Sequence, residues 1–322
     1  MQNSSSVMPT RSPEVAEQQI AILVPCYNEA LTIRNVVEGF RRNLPQAQVY
    51  VFDNNSTDDT VAVAKSAGAI VRHVQRQGKG HVVRRMFADI DADCYILVDG
   101  DDTYDPDASG QIASMVLEQD FDFVNVSRVS DAVEAYRRGH RLGNVVLTGL
   151  VRLFFGREST DMLSGYKALS RRFVKSFPAM SHGFETETEL TVHALEMRMT
   201  MGEVSAQYRE RPSGSTSKLR TYQDGTRILL LIARLVKDER PAQFFGFVGL
   251  FLILLGAGLS IPVILTYVET GLVPRLPTAV LSVGTVVLGW LSIFTGIILD
   301  VVAKMRREVK RLTYLATPRP SR

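Results

Sequence analysis

Short apolar runs alternate along the first third of the chain with segments whose apolar residues recur at helical spacing. The apolar runs are residues 20–24, 49–52, 69–71 and 95–98, and 121–126 is a further predicted strand, largely apolar but containing Asp122 and Asn125. Continuous runs of this length are typical of strands buried on both faces of a parallel sheet. Between the first two, Ile33, Val37 and Phe40 share one face of a helix. The alternation predicts an α/β fold with a mostly parallel sheet.

The C-terminal third has a different pattern, because residues 242–268 and 276–299 contain no charged residue. At 1.5 Å per residue, the first run reaches about 40 Å as a helix, against roughly 30 Å for the hydrocarbon core of a bilayer. We therefore predict two transmembrane helices joined by a short link. Two apolar stretches with interspersed arginines, 145–155 and 226–236, are predicted as interfacial amphipathic helices. For 145–155 alone, a core-facing helix is the alternative.

These patterns divide the chain into five parts. They are a disordered tail at 1–19, a catalytic domain at 20–220, an interfacial helix at 221–240, a transmembrane hairpin at 241–303 and a basic cytoplasmic tail at 304–322. The first 19 residues are rich in Ser, Gln, Pro and Glu and lack the apolar core of a signal peptide.

Charge and composition limit the partners to be expected, and they predict how the protein is oriented in the membrane. The net charge of +3 over 322 residues does not call for a nucleic-acid partner. Cys26 and Cys94 suggest neither a disulfide framework nor a metal pair. Lysines and arginines flank the outer ends of the predicted hairpin, whereas the link between the spans has only Arg275. The positive-inside rule predicts a catalytic domain and both termini in the cytoplasm, with the basic tail against anionic lipid. We expect an integral protein of a bacterial inner membrane.

Polar side chains follow three of the predicted strands at the point where each strand ends. Tyr27 and Glu29 follow the first, Asp53 the second, and Asp99 and Asp101 the fourth. Carboxyl ends of parallel strands meet at one edge of the sheet, where ligands of α/β proteins bind. Paired carboxylates suit Mg²⁺ or Mn²⁺, which usually retains substrate phosphate oxygens in its shell. The pattern predicts a site for a metal and a nucleotide diphosphate.

Simpler interpretations exist for each segment taken singly, namely a turn, a helix cap and an acidic surface loop. A calcium-binding EF-hand loop starting at Asp99 fits poorly. Tyr104 stands where that loop needs glycine, and Gly110 stands where it needs glutamate. The clustering of all three segments at one predicted edge favours the functional interpretation.

Six motifs carry a resemblance to a known family. They are Pro25-Cys26-Tyr27-Asn28-Glu29, Asp53-Asn54-Asn55-Ser56-Thr57-Asp58, Gly78-Lys79-Gly80, Asp99-Gly100-Asp101, Asp161-Met162-Leu163-Ser164-Gly165-Tyr166 and the basic loop 209–219. Together they resemble the inverting GT-A glycosyltransferases of the dolichol-phosphate mannose or glucose synthase type, whose bacterial relatives use undecaprenyl phosphate. The likeness covers roughly residues 20–220.

The resemblance implies a GT-A nucleotide-sugar-binding domain and assigns roles to its residues. Those implied to hold the base and ribose of the donor are Pro25, Tyr27, Glu29 and Asp53, with Lys79 near the nucleotide. Asp99 and Asp101 are implied to hold the metal on the diphosphate. The family often has a glutamine two residues further on. Thr103 stands there instead, so water or Asp102 would complete the shell.

The acceptor side is predicted to be basic. The residues expected to bind the diphosphate or an acceptor phosphate are Arg128, Arg137, Arg138, Arg141, Arg211, Ser217 and Lys218. A flexible basic linker is the alternative for the loop that carries the last three. Asp161 is the candidate for orienting the acceptor, and Asp161 and Asp101 are the predicted catalytic residues.

We therefore predict a membrane-bound inverting transferase that moves a hexose from a nucleotide diphosphate sugar to polyprenyl phosphate. A processive polysaccharide synthase is one alternative. However, the Gln-x-x-Arg-Trp motif of such enzymes is absent, because the single tryptophan is Trp290 within the second span. A sugar nucleotidyltransferase and an inactive nucleotide-sugar-binding scaffold are the others. Small residues of the first span such as Gly246 and Gly258 could also support a homo-oligomer.

Overall fold

The computed structural model describes residues 18–129, 149, 161–181, 183, 185–212 and 221–318, and for 221–229 the backbone alone. Several predictions fall outside these residues. They are the tail up to residue 17, the amphipathic stretch 145–155 apart from residue 149, and the site residues Arg137, Arg138, Arg141, Ser217 and Lys218.

The described residues form a mixed sheet of seven strands. The strands are β1 Ile20–Cys26, β2 Gln48–Asp53, β3 Ile70–His73, β4 Cys94–Leu97, β5 Phe123–Val129, β6 Lys167–Ser170 and β7 Met201–Gln207. Their order across the sheet is β3-β2-β1-β4-β6-β5-β7. Pairing is parallel except at β6, which runs antiparallel to both β4 and β5. The predicted mostly parallel sheet is confirmed.

Nine helices accompany the sheet in the described part of the chain. They are α1 Ile33–Asn43, α2 Thr60–Ser66, α3 Lys79–Asp89, α4 Ser109–Leu117, α5 Arg171–Ser176, α6 Thr186–Met197, α7 Thr221–Glu239, α8 Pro241–Thr270 and α9 Leu276–Ala316. One sheet face packs against α1, α2 and α4, and the other against α3, α5 and α6. Because both faces are covered, successive residues such as Ile22 and Leu23 lie in opposite cores. This explains the continuous apolar runs in the sequence.

The two C-terminal helices α8 and α9 form a closely packed antiparallel hairpin. A side chain on Gly249 would approach the carbonyl oxygen of Gly289 to 2.6 Å, and Gly256 is similarly close to Ser282. Both helices are long and apolar enough to cross a membrane, and their most apolar segments are only 11% and 17% buried. The two predicted apolar helices are therefore confirmed. Gly249 and Gly256 serve the contact within the chain, and a homo-oligomer stays a prediction.

Helix α9 extends well past residue 303, where we expected the second span to end, and its last turns pack against the catalytic domain. Lys310 Nζ lies 2.7 Å from Glu196 Oε2 of α6 and 3.3 Å from Glu239 Oε1 at the end of α7. Tyr314 donates a hydrogen bond of 2.9 Å to Asp122. Lys310 of the predicted basic tail is thus paired with protein carboxylates. We refer to Lys310, Glu196 and Glu239 as the junction cluster.

Candidate active site

The carboxyl ends of β1, β2 and β4 bring the predicted donor-side residues to one edge of the sheet. Cys26 pairs in register with Asp53, and Leu23 with Leu97. The backbone N–H of Asn54 donates to the Cys26 carbonyl at 2.8 Å, so the turns after β1 and β2 lie side by side. Parallel pairing therefore assembles three segments that are distant in sequence.

Asp53 and its neighbour fix the loops on the nucleotide side of this edge. Asp53 is buried, with Oδ2 3.0 Å from His73 Nδ1 and Oδ1 accepting from the Ser56 N–H at 3.2 Å. The Asn54 amide donates to the carbonyls of Val74 and Arg76, and its Oδ1 accepts from the Gly78 N–H at 2.7 Å. The strand β2 thus anchors the loop that leads into α3.

The turn after β1 presents one aromatic ring and buries one carboxylate. Tyr27 is 38% exposed, whereas Glu29 is buried and its N–H donates to Thr60 Oγ1 at 2.8 Å. Asn28 adopts φ 52°, a left-handed conformation that asparagine tolerates, and its Oδ1 accepts from the Thr57 N–H at 2.7 Å. The turn is therefore fixed while the Tyr27 ring stays accessible to a ligand.

Asp99 and Asp101 follow β4, and their environment suits a divalent cation. Burial, followed by the negative charge of Asp99, raises the pKa of Asp101. Two adjacent oxygen-donor carboxylates, of which Asp101 has the raised pKa, form a concentration of negative charge that a hard cation would relieve. The Asp99 and Asp101 side chains therefore fit Mg²⁺ or Mn²⁺ as predicted ligands.

Thr103 and Asp102, the two neighbours considered as a third metal ligand, are both engaged in other hydrogen bonds. The Thr103 hydroxyl donates to Asp101 Oδ1 at 2.6 Å, so it orients a predicted ligand. Asp102 accepts a 3.0 Å hydrogen bond from Asn35 of α1. The described residues contain no group of three His, Cys, Asp or Glu side chains arranged to hold a metal. The remaining ligands would then be substrate oxygens and water, as is usual for Mg²⁺.

Two cationic side chains lie against the aspartates. Arg211 Nη2 is 2.5 Å from Asp101 Oδ2, and Lys79 Nζ is 2.5 Å from Asp99 Oδ1. Lys79 forms a second ion pair with Glu187. Although burial alone would lower the pKa of Lys79, the carboxylates of Asp99 and Glu187 raise it, so the side chain remains an ammonium. We refer to Lys79, Asp99 and Glu187 as the edge cluster.

Glu187 was missed in the sequence because its helix offered another explanation. The stretch Glu185-Thr186-Glu187-Thr188-Glu189 begins α6, and acidic residues in a first turn are favourable through the helix dipole alone. In the structure Glu187 and Glu189 are both buried. Acidic residues at alternate positions, which cannot share one exposed face, were the available signal.

On the predicted acceptor side, Asp161 forms a bidentate ion pair with Arg128 at the end of β5. Arg128 Nε lies 2.7 Å from Asp161 Oδ2, and Nη2 lies 2.8 Å from Oδ1. Burial opposes ionisation, but the hydrogen bonds and charge of Arg128 hold the pKa of Asp161 below its ordinary value. Asp161 is therefore an ionised carboxylate near neutral pH, and it fixes the Arg128 guanidinium.

The fully buried Lys167 is linked to Asp161 through the side chain of Asn125. Lys167 Nζ donates to Asn125 Oδ1 at 2.5 Å, and the Asn125 amide donates to the Asp161 carbonyl at 2.9 Å. Burial lowers the pKa of Lys167 to about 8. The chain gave no sequence signal for this residue, because a charged side chain inside a strand contradicts the apolar pattern.

The acceptor-side segment packs directly against the predicted metal ligands. A Cβ on Gly165 would overlap the Asp99 carboxylate, so any larger residue there would displace this predicted metal ligand. Tyr104 Oη accepts a 2.7 Å hydrogen bond from the Gly165 N–H. The structure thus brings Asp99, Asp101 and the segment beginning at Asp161 together at one edge of the sheet.

Comparison with known proteins agrees with this architecture. The family model described as Glycosyl transferase family 2 matches residues 21–177. Glycosyltransferase AglJ of Haloferax volcanii is 32% identical over 299 residues, covering 92% of this chain and 98% of the relative. A dolichyl-phosphate hexose transferase of the same organism is 25% identical over 227 residues, covering 70% and 98%.

A solved structure shares the fold. Glucosyl-3-phosphoglycerate synthase from Mycobacterium tuberculosis, in complex with Mn²⁺, UDP and phosphoglyceric acid, superposes with a TM-score of 0.57. The identity is 22%, over 69% of this chain and 78% of the other. At this identity the likeness shows the GT-A fold alone, as predicted, and the relatives confirm the resemblance to the polyprenyl-phosphate sugar synthases. The chain belongs to glycosyl transferase family 2.

Proposed function

We propose that this glycosyltransferase moves a hexose, with inversion, from a nucleotide diphosphate sugar to polyprenyl phosphate at the cytoplasmic face of a membrane. The observation that carries the proposal is the clustering of Asp99, Asp101, Lys79 and Arg211 at one sheet edge, in a chain with two exposed apolar helices. Two carboxylates with two adjacent cations are suited to a metal-bound diphosphate.

The donor is held at the carboxyl edge. Pro25, Tyr27, Glu29 and Asp53 bind its base and ribose, and Asp99 and Asp101 hold Mg²⁺ or Mn²⁺ on its diphosphate. The bound cation supplies Lewis-acid stabilisation of the departing diphosphate. Because Lys79 and Arg211 already lie against the aspartates, each is within reach of phosphate oxygens that would take the place of the aspartate carboxylate.

The acceptor phosphate is the nucleophile. Its ionised oxygen forms a bond to the anomeric carbon while the bond from that carbon to the nucleoside diphosphate breaks. A phosphate oxygen is already negative at pH 7, so a strong base is not needed, in agreement with an Asp161 that remains ionised. Asp161 instead orients Arg128 toward the acceptor. The residues Arg137, Arg138, Arg141, Ser217 and Lys218 belong to this side of the proposal.

The membrane helices place this chemistry at a bilayer surface. The hairpin α8–α9 spans a bacterial inner membrane, with Lys237 and Arg240 before it and the basic end of α9 after it on the cytoplasmic side. The names of relatives support a lipid acceptor, since two are described as dolichyl-phosphate transferases of hexose and of N-acetylglucosamine.

The decisive test incubates the purified full-length protein with a panel of UDP- and GDP-sugars, Mg²⁺ or Mn²⁺, and undecaprenyl or dolichyl phosphate. Mass analysis of the lipid should detect one hexose per acceptor, and chelation of the metal should abolish the product. A glycan polymer would identify a processive synthase instead. Binding of a nucleotide sugar without any transfer would support an inactive scaffold and contradict the proposal.

A further inference from the structure

The ammonium of Lys79 lies between two carboxylates that differ in access to solvent. The Asp99 side chain is 29% exposed, whereas the Glu187 side chain is 5% exposed. Asp99 faces the predicted diphosphate site, and Glu187 lies behind the lysine on α6. The two carboxylates are therefore not equivalent toward a ligand that enters from the open side.

The start of α6, which carries Glu187, is fixed against the start of α3, which carries Lys79. A side chain on Gly80 would overlap the carbonyl oxygen of Ser181, just before α6, and would lie 2.8 Å from the hydroxyl of Thr186 at the first residue of α6, so the two segments are in contact. Glu189 accepts hydrogen bonds of 2.8 Å from the N–H groups of Met180 and Ser181. These contacts hold the backbone at the start of α6 in place, and they thereby hold Glu187 beside Lys79.

We propose that Glu187 is a positioning residue that retains Lys79 when Asp99 exchanges the ammonium for a divalent cation, so that Lys79 is directed to the donor diphosphate. This inference rests on the function proposed above. A divalent cation on Asp99 would compete with Lys79 for the charge of that carboxylate and so weaken their ion pair. Replacing Glu187 removes one enclosed carboxylate charge from beside a buried ammonium, and a metal ion on Asp99 would then offset the charge of the other, which is unfavourable.

The alternative is a direct contact of Glu187 with the donor sugar, and a double-mutant cycle separates the two. If Glu187 acts through Lys79, its replacement has little further effect once Lys79 is gone. If it contacts the sugar, its effect persists in the absence of Lys79.

The experiment measures binding of UDP and GDP to the purified full-length protein at saturating Mn²⁺ by calorimetry. Glu187→Gln should weaken nucleotide binding about tenfold, as supporting partners of metal sites commonly do. The matched control is Glu196→Gln, which changes an enclosed carboxylate at the other end of α6 and should change binding less than about twofold. In a Lys79→Met background, Glu187→Gln should also change binding less than about twofold.

A second readout needs neither metal nor nucleotide. In metal-free protein, labelling of Lys79 by an amine-reactive reagent, followed by mass spectrometry, should be faster in Glu187→Gln than in the wild type. If that variant does not fold, Glu187→Asp, which keeps the charge on a shorter arm, provides the same comparison with a smaller effect.

Two results would overturn the inference while leaving the proposed function intact. One is an equal loss of nucleotide affinity from Glu187→Gln with and without Lys79. The other is unchanged labelling of Lys79 together with unchanged nucleotide affinity. Failure of the wild type to bind either nucleotide with Mn²⁺ would instead overturn both the donor assignment and this inference.

Discussion

Two lysines with little exposure to solvent lie near opposite ends of α6, and each is held between two carboxylates. At the start of the helix, Lys79 pairs with Asp99 and with Glu187. At its end, Lys310 pairs with Glu196 and Glu239. The edge cluster and the junction cluster therefore have the same composition, two carboxylates around one ammonium.

The two clusters differ in how far their carboxylates are exposed to solvent. In the edge cluster Asp99 remains 29% exposed, whereas the junction carboxylates Glu196 and Glu239 are 5% and 9% exposed. An accessible carboxylate can exchange its ammonium for a ligand, but an enclosed one can only join the elements that carry it. The same arrangement of charge is thus suited to the proposed ligand exchange in one region and joins α9 to α6 and α7 in the other.

The largest expected effect is at the predicted metal site, which includes Asp99 of the edge cluster. Asp101→Asn should lower sugar transfer by about a thousandfold, because it removes a charge from the predicted metal site. Asp102→Asn is the matched control, since Asp102 is the next residue and bonds Asn35 instead. Transfer assays in washed membranes with added Mn²⁺ measure both variants, and near wild-type activity in Asp101→Asn would refute the metal assignment.

Removal of the edge lysine should have the next largest effect. Lys79→Met should lower transfer about a hundredfold, because a cation facing the leaving diphosphate is lost. It should also lower the melting temperature, and Mn²⁺ should restore part of that loss, since a bound cation compensates Asp99. A melting temperature that does not respond to Mn²⁺ would show that the edge cluster does not exchange ligands.

The junction lysine should behave in the opposite way. Lys310→Met should lower the free energy of unfolding by about 3 kcal/mol, because it leaves two enclosed carboxylates without their cation. Turnover per folded molecule should stay close to the wild-type value, and Mn²⁺ should not restore stability. Denaturant unfolding in detergent, combined with transfer assays at low temperature, separates these quantities.

The smallest effect concerns pH. Burial, followed by hydrogen bonding with Glu239, raises the pKa of Glu196 from 4.5 to about 7, beside Lys310. A raised carboxyl pKa stabilises the fold below pH 4.5, and this stabilisation is lost as the pH rises through about 7. Between pH 5 and 8 the wild type should lose a few degrees of melting temperature. The loss should be smaller in Glu196→Gln, and identical slopes would exclude Glu196 as the titrating group.

In the edge cluster, the strand-end carboxylate Asp99 was predictable from the sequence, whereas Glu187 and the pairing in the junction cluster were not. Asp99 and Asp101 follow an apolar run, and strand alternation alone assigns such residues to the carboxyl edge. Lys310 follows an apolar helix and was expected to face lipid. Its pairing with Glu196 depends on how α9 packs against the catalytic domain, which the hydrophobic pattern of α9 does not specify.

The other features that the sequence did not predict involve polar residues in buried positions. In α6, Glu187, Thr188, Glu189 and Thr191 are all buried, so the helix has no clear apolar face from which its orientation could be inferred. The short antiparallel strand β6 begins with the buried Lys167. In both elements, the hydrogen bonds and ion pairs that make burial possible come from residues distant in sequence.

The continuity of α9 affects how the lipid acceptor reaches the catalytic domain in the proposed reaction. Its 41 residues form one helix of about 60 Å that runs from the interhelical link to the catalytic domain without a flexible linker. A catalytic unit fastened in this way is not free to swing toward its substrates. In the proposed reaction, delivery must therefore come from lateral diffusion of the lipid, and enzymes of this build should respond to membrane fluidity more than to the viscosity of the surrounding solution.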